Sequence, residues 1–514
     1  MTVTVASAML SADRSMRILL VKPKARLGTI LGLQAYQLLE PLELAYVAAA
    51  VPPEHEVRVL DLRLARFAEH RFLRTLAGFR PDLVGFTGYS HESGAVRKLA
   101  RLVREKAPRS IVIAGGHHAT MVPADYDIPE IDAVVRGEGC TPFRAILKAL
   151  SAGREIEGIP GVLIPGRSFS GDAHKVWPKY SDPASLPSPR RDLWDVRSYR
   201  SVWASEDSPS WSRLFPPVSQ VRASWGCRAK CTFCVVPFLS DGKHMPRPSE
   251  AVAEEIARAP ADHIYFCDDE NFIDQEFGFE LAEAIEKRGI EKRYFAWTRA
   301  TSVNRSMDLM RKWRGLGLDC IFIGFEFIND EDLRRVKKGG NVAANEKALD
   351  NLRSIGVGVH AAFMVQPEYT EDDFERLRSY VNHLPPAECS FTVCTPSPGT
   401  PDYETIRPRI WVDKPYEFYD CMRPLTPTVL PLRRFAELLA RQAREGTART
   451  PRRIQRRPAP PLDMLRVVRA DHLWDRGYRD LYRDYPRELW DTPQGARPQA
   501  PAVSAPGALS KAAG

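Results

Sequence analysis

The sequence predicts an α/β protein with a doubly wound parallel sheet first, a partial (β/α)6 barrel second and a mainly helical C-terminal region last. Three observations predict it. Between residues 16 and 150, five short apolar runs alternate with helical stretches. Between 213 and 405, six more runs follow with the same alternation. From 406 to 491 the strand-like runs stop, and amphipathic and aromatic-rich segments take over.

In the first series MRILLV, EVRVLDL, PDLVGFTG, SIVIAGG and IDAVVRG read as strands. They are continuous apolar runs, as expected of strands covered on both faces. PLELAYVAAAV, ARFAEHRFLRTLAGF, SGAVRKLARLVREK and CTPFRAILKAL read as the helices between them. In SGAVRKLARLVREK the apolar positions recur at helical spacing, and Arg and Lys fill the other face. Residues 151–212 are rich in Pro, Ser and Asp and read as a linker. VSQVRASWG, HIYFCDD, RYFAWTR, DCIFIGFEF, GVGVHAAFMV and SFTVCTP are the second set of strands. Six consecutive β/α units suggest a partial barrel. PLRRFAELLARQ is an amphipathic helix, and residues 492–514 lack the hydrophobicity to fold.

The chain has 514 residues, too many for one ordinary domain. No eighteen-residue apolar stretch occurs, so no transmembrane helix is expected, and the N-terminus lacks a secretory pattern. Nine cysteines, an odd number and mostly scattered, argue against a secreted disulfide framework and for a reducing, cytoplasmic setting. The net charge is +8, and the excess sits late, from Arg433 and Arg434 to Arg456 and Arg457. A solvated surface accounts for it; peripheral contact with anionic lipid is the sharper reading. Aromatic residues do not interleave with these arginines, so DNA is not an expected partner.

Functional residues gather at the carboxyl ends of strands, where ligands of such folds bind. Directly after the first barrel strand, SWGCRAKCTFCVVP spaces Cys227, Cys231 and Cys234 as Cys-x3-Cys-x2-Cys. Three thiolates in eight residues can hold one face of an iron–sulfur cubane and leave one iron open. A structural zinc site would need a fourth ligand, and His244 is the nearest without a paired ligand. In the N-terminal sheet the third strand ends in Thr87-Gly88-Tyr89-Ser90, the fourth in Gly115-Gly116-His117-His118 and the fifth in Arg136-Gly137-Glu138-Gly139. Turn glycines are the ordinary reading of any one pair. Three glycine-bearing ends on one sheet edge favour a bound cofactor, and the absence of G-x-G-x-x-G after strand one argues against a dinucleotide.

Cys227, Cys231, Phe233 and Cys234, placed after a first barrel strand, resemble the radical S-adenosylmethionine superfamily. The resemblance implies a [4Fe–4S] cluster whose open iron chelates the methionine part of S-adenosylmethionine. One electron then releases methionine and a 5′-deoxyadenosyl radical, which takes a hydrogen atom from substrate. It also implies an adenine contact for Phe233, and a contact to the methionine amino group in the segment Asp268, Asp269, Glu270 and Asn271. Arg299 would pair with the methionine carboxylate and Glu326 would reach the nucleoside. The loop from Thr395 to Pro401 resembles the sixth-strand loop of the family. Strand five departs from it, with Gln366-Pro367-Glu368 where relatives usually carry a glycine-proline-glycine turn.

The N-terminal residues Thr87, Ser90, Gly115, Gly116, His117, Arg136, Gly137, Glu138 and Gly139 resemble the cobalamin-binding subgroup of that superfamily. The resemblance spans roughly residues 16–405 and implies a corrin on the sheet edge facing the barrel. It further implies methylation of an unactivated carbon. The Asp-x-His-x-x-Gly that ligates cobalt in many such domains is missing, since Lys22-Pro23-Lys24-Ala25-Arg26-Leu27-Gly28 follows strand one. His117 and His118 are expected at corrin side chains or backbone rather than on cobalt.

Two other activities fit parts of the pattern. A cobalamin-dependent radical cyclase or oxidase shares every motif. A tRNA methylthiotransferase would need three cysteines in the N-terminal domain, and only Cys140 precedes Cys227. A scaffold without catalysis makes little use of an open cluster. LLEPLELAYVAAAV and LPLRRFAELLARQ faintly resemble hopanoid C-3 methylases. The expected substrate is therefore a small molecule or lipid, with a hopanoid or terpenoid and a small natural-product scaffold equally compatible, and the expected reductant is a flavodoxin or ferredoxin. Nothing in the sequence indicates the oligomeric state.

Overall fold

The protein is described by a computed structural model covering residues 15–169, 182–203, 215–385, 387–411, 416–448 and 461–493. Parts of the expected linker, the arginines from Arg449 to Arg457 and nearly all of the expected C-terminal tail lie outside the described residues.

The first sheet is formed by β1 (Arg17–Lys22), β2 (Glu56–Asp61), β3 (Leu83–Thr87), β4 (Ile111–Gly115), β5 (Ala133–Val135) and β6 (Val162–Leu163), in the order β2-β1-β3-β4-β5-β6. The first five strands run parallel. The short β6 is a finding of the structure and pairs antiparallel with β5. Apolar side chains are buried on both faces, as the continuous hydrophobic runs require. Order reverses between β1 and β3, and such a switch point opens a crevice at the carboxyl edge.

The second sheet is formed by β7 (Val218–Val221), β8 (His263–Phe266), β9 (Arg293–Thr298), β10 (Leu318–Glu326), β11 (Gly358–Val365) and β12 (Glu388–Val393), all parallel and in chain order. One strand face, with Ile264, Tyr294, Ile321 and Phe363, packs beneath the helices. The other face carries Tyr265, Phe295, Trp297 and Phe322 toward the lumen. There Tyr265 stacks on Phe295 at 4.6 Å between ring centroids, and Trp297 packs on Phe322 at 4.0 Å.

The two units are latched by buried charge. Glu40, 1% exposed, accepts hydrogen bonds from Arg191 Nε at 3.0 Å, Trp194 Nε1 at 3.1 Å and the Gln220 amide at 2.7 Å. Arg191 also reaches Glu255 at 2.8 Å, and Glu255 pairs with Arg247 at 2.7 Å. Burial pushes the Glu40 carboxyl upward and the Arg191 guanidinium opposes it. Unpaired charges there would be costly, so the latch holds the linker segment against both units.

The C-terminal region closes the opposite side. Its helices Leu432–Ala448 and Pro461–Arg479 pack on the barrel, and the Tyr478 hydroxyl donates to the Phe391 carbonyl of β12 at 2.6 Å. The last helix also lies against Gly28–Tyr36, a helix the hydrophobic pattern did not announce. Glycine makes that contact possible, because a Cβ on Gly32 would stand 2.8 Å from the Trp474 Cα. Thr29, Asp420 and Arg423 form a buried network across the same junction, with Thr29 Oγ1 2.7 Å from Asp420 Oδ2.

Candidate active site

The two carboxyl edges face one another across a cavity of about 460 Å³. Its walls come from both units: Thr87, Gly115, Gly116, His117, Gly137, Glu138 and Gly139 on one side, and Gln220, Arg222, Trp225 and Asp269 on the other.

The cysteine loop leaves β7 through Gly226, whose φ of +82° suits glycine and where a Cβ would meet the Lys243 carbonyl oxygen at 2.1 Å. Asp269 accepts from the Gly226 amide at 2.8 Å and from Arg222 at 2.7 Å, which fixes the turn. The Thr232 amide donates to the Val336 carbonyl, and the Asp402 amide to the Thr232 carbonyl, so neighbouring strand-end loops hold the middle of the loop. Cys227 and Cys231 are buried and Cys234 is half-buried. Arg299 Nη1 lies 3.4 Å from Cys231 Sγ. Burial pushes the Cys234 thiol up to about 12 and raises that of Cys227. Thiolates there require the positive charge of bound iron. Among the described residues no three side chains converge on a single metal ion. A cubane is compatible with that spread, because each of three irons takes its own thiolate.

The acidic segment after β8 divides its work. Asp268 accepts from the Ala223 amide at 2.9 Å and Ser224 Oγ at 2.6 Å, while burial pushes its carboxyl up to about 6. Glu270, 1% exposed, accepts from Thr298 and, at 3.4 Å, from Ser302 and the Arg299 amide. Asn271 bridges to the Trp297 backbone in both directions at 2.8 Å. Asp268, Glu270 and Asn271 therefore brace strand ends, and Asp269 is the member of the segment that lines the cavity. Glu326 sits at a bulge with φ +64° and pairs with Lys338 at 2.5 Å. Phe233 packs with Phe327, Val336 and Met364 at the same barrel edge.

On the N-terminal edge, Gly116 has φ +90°, and a Cβ there would stand 2.6 Å from Thr87 Oγ1 and 2.8 Å from the Gly88 amide. His117 lines the cavity, its Nδ1 is buried without a partner, and burial pushes its pKa down to about 4. A floor without side chains and an orphaned donor or acceptor both fit a large, flat, polar-edged ligand such as a corrin. Glu138 caps the helix Cys140–Ser151 through the Cys140 and Thr141 amides. On the barrel edge Cys227, Cys231, Phe233, Cys234, Arg299 and Glu326 lie outside the cavity lining, and on this edge two of the expected residues do as well. Ser90 is buried with its hydroxyl 3.1 Å from His118 Nδ1, and Arg136 donates twice to the Thr120 carbonyl. The physical reason is local: His118 also binds Asp125 at 3.1 Å, and this fully buried chain of groups draws Ser90 inward.

Sequence reasoning missed Lys22 and Tyr89. Lys22, 3% exposed, places Nζ 2.9 Å from Glu92 and 4.8 Å from the Tyr89 ring centroid, at the cavity wall. Burial opposes its charge, but Glu92 and Glu43 hold its pKa above the ordinary value. Tyr89, 53% exposed, lines this space, stacks on His91 and lies with its ring tilted against that of His117. The signal was the basic Lys22 standing where the missing cobalt-ligand motif would be.

Comparison with known proteins agrees with this geometry. Residues 28–147 match the B12 binding domain and residues 223–381 the Radical SAM superfamily. The hopanoid C-3 methylase of Methylococcus capsulatus is 30% identical over 425 residues, covering 82% of this chain and 78% of that protein. The anaerobic magnesium-protoporphyrin IX monomethyl ester cyclase of Synechocystis is 24% identical over 362 residues, 68% of this chain and 69% of that one. The solved radical S-adenosylmethionine methyltransferase TsrM of Kitasatospora setae, with cobalamin and a [4Fe–4S] cluster bound, superposes with a TM-score of 0.58 at 20% identity, over 80% of this chain and 83% of that chain. The chain belongs to the cobalamin-dependent radical S-adenosylmethionine methyltransferases.

Proposed function

We propose that the enzyme methylates an unactivated carbon of an apolar polycyclic substrate of the hopanoid or terpenoid class. The similarity to the hopanoid methylase over most of both chains carries this reading. The inner face of the barrel strands is compatible with it: Phe295, Trp297 and Phe322 are only half-buried there and carry rings rather than charge. When bound, the cluster and S-adenosylmethionine supply the hydrogen-abstracting radical, and cobalamin supplies the methyl group.

The residues have separate tasks in this reading. Cys227, Cys231 and Cys234 hold the cluster. Arg299 and Asp269 meet S-adenosylmethionine, with Phe233 near its adenine and Glu326 on its nucleoside side. Asp268, Glu270 and Asn271 act through the strand ends they brace. Gly115, Gly116, Gly137 and Gly139 let the corrin approach backbone, while Thr87, His117 and Glu138 meet its polar edge. The units run from 16 to 150 and from 213 to 405, joined by the 151–212 linker. A flavodoxin or ferredoxin supplies the electron.

Anaerobically reconstituted enzyme with S-adenosylmethionine, a reductant and a hopanoid should give a product heavier by about 14 Da, one methylene. Isotope from the S-adenosylmethionine methyl group should appear in it. An oxidised or cyclised product without added mass would replace methylation by the second reading, which the similarity to the cyclase keeps in view. An unchanged hopanoid, with a different scaffold methylated, would overturn the substrate class.

A further inference from the structure

Eight large hydrophobic side chains stand strongly exposed among the described residues, and four of them fall within seven positions of the last helix. Leu462, Met464, Leu465 and Val468 are 59%, 47%, 65% and 61% exposed. Spacing of three puts Leu462, Leu465 and Val468 on one outward face, while Asp463 and Ala470 are buried on the other.

Packing among the described residues leaves that face uncovered. The helix pairs antiparallel with Gly28–Tyr36: Gly477 lies against Gly28, Trp474 against Gly32, and Asp471 accepts from the Tyr36 hydroxyl. Gly28–Tyr36 ends there, so the first ten residues of the last helix overhang it by about 15 Å. The helix Leu432–Ala448 meets the last helix through Arg444 and Asp475 and also ends near that level. Later turns of the outward face change character. Arg469, His472, Arg476 and Arg479 are exposed there. Arg476 and Arg479 side chains are 64% and 51% exposed, whereas their acidic partners Asp480 and Asp475 are 28% and 18%. Cationic heads therefore project further out than the carboxylates that pair with them.

We propose that this helix face docks the enzyme on an anionic lipid bilayer, with Leu462, Met464, Leu465 and Val468 entering the acyl boundary and Arg469, Arg476 and Arg479 meeting headgroup phosphates. The apolar turns can enter the acyl boundary while the basic turns that follow on the same outward face reach anionic headgroups. A second copy paired through Leu462, Met464, Leu465 and Val468 would leave Arg469, Arg476 and Arg479 of each copy without an anionic partner across the seam. The bilayer satisfies both halves of the face at once. The proposal does not rest on the identity of the substrate.

Co-sedimentation of the anaerobically reconstituted full-length enzyme tests it, using vesicles of phosphatidylcholine with and without phosphatidylglycerol and no hopanoid. Binding is expected to the anionic vesicles, weakening as salt rises. The exposed pair Leu465→Glu/Val468→Glu should lower it about tenfold, and Arg476→Glu/Arg479→Glu should also weaken it. Both variants should keep the native circular dichroism and the bound cofactors. Absence of binding to anionic vesicles overturns the proposal, as does binding that both variants retain. A dimer in solution that Leu465→Glu/Val468→Glu dissolves would assign the face to a second copy and overturn it as well.

Discussion

The two carboxyl edges that face each other are built on opposite plans. The barrel edge is crowded with side chains whose hydrogen bonds are already made: Asp268, Asp269, Glu270 and Asn271 each hold backbone or hydroxyl groups of a neighbouring strand end. The N-terminal edge is defined by missing side chains at Gly115, Gly116, Gly137 and Gly139, and by the unsatisfied His117. A compact cluster bound through thiolates needs a rigid rim of fixed ligands. A broad corrin needs room and backbone. Substitutions should therefore fail differently on the two edges.

The largest contrast comes from the cysteines. Replacing Cys227, Cys231 and Cys234 with Ala should abolish the iron–sulfur absorbance and all methyl transfer, while bound corrin stays near one equivalent. Loss of corrin in the same variant would show that the edges are not independent. The mirror experiment is Gly116→Val. Its side chain would occupy the space of Thr87 Oγ1 and the Gly88 amide. Corrin binding should be lost and the cluster retained, read by absorbance and by iron and cobalt content.

Lys22 tests whether the wall beneath that edge is structural. Lys22→Met strands Glu92, 1% exposed, without its cation, and should cost about 3 kcal/mol in chemical denaturation. Lys22→Met/Glu92→Leu should recover most of that loss, because the two buried charges then leave together. If the double variant is no better than the single one, Glu92 has partners enough without Lys22. The smallest effect concerns His117, whose pKa burial pushes down to about 4. The unfolded chain takes up that proton near pH 6.5 and the folded chain only near 4. Stability of the cofactor-free protein should therefore fall as pH drops between those values. His117→Leu should flatten this fall and leave the denaturation midpoint at pH 8 almost unchanged.

Legibility followed the range of the interaction. The strand ends and the cysteine spacing are local; the N-terminal strand ends line one cavity with Trp225 and Val235, which flank the cysteine loop, while Cys227, Cys231 and Cys234 themselves do not line it. The helix Gly28–Tyr36 was not legible, because glycines at 28 and 32 lower helix propensity. Their value appears only when Gly477 and Trp474 approach from the far end of the chain. Ser90 and Arg136 sat beside promising glycines, yet a rotation toward His118 and Thr120 removed them from the cavity. Period alone does not tell which way a residue just past a strand end turns. The Glu40–Arg191–Glu255 latch joins three distant stretches, and no spacing rule connects them.

By itself the sequence determined the order of α/β units, the Cys-x3-Cys-x2-Cys spacing after the first barrel strand and the lack of a histidine in the loop after the first strand. These depend on residue type and near-neighbour spacing, which the chain carries wherever it folds. Tertiary structure alone decided which carboxylates brace and which one faces the cavity, and that Lys22 and Tyr89 stand at its wall. It also decided that the last helix overhangs its partners with apolar residues outward. Those outcomes depend on burial and on partners hundreds of positions away, and only the packed chain brings them together.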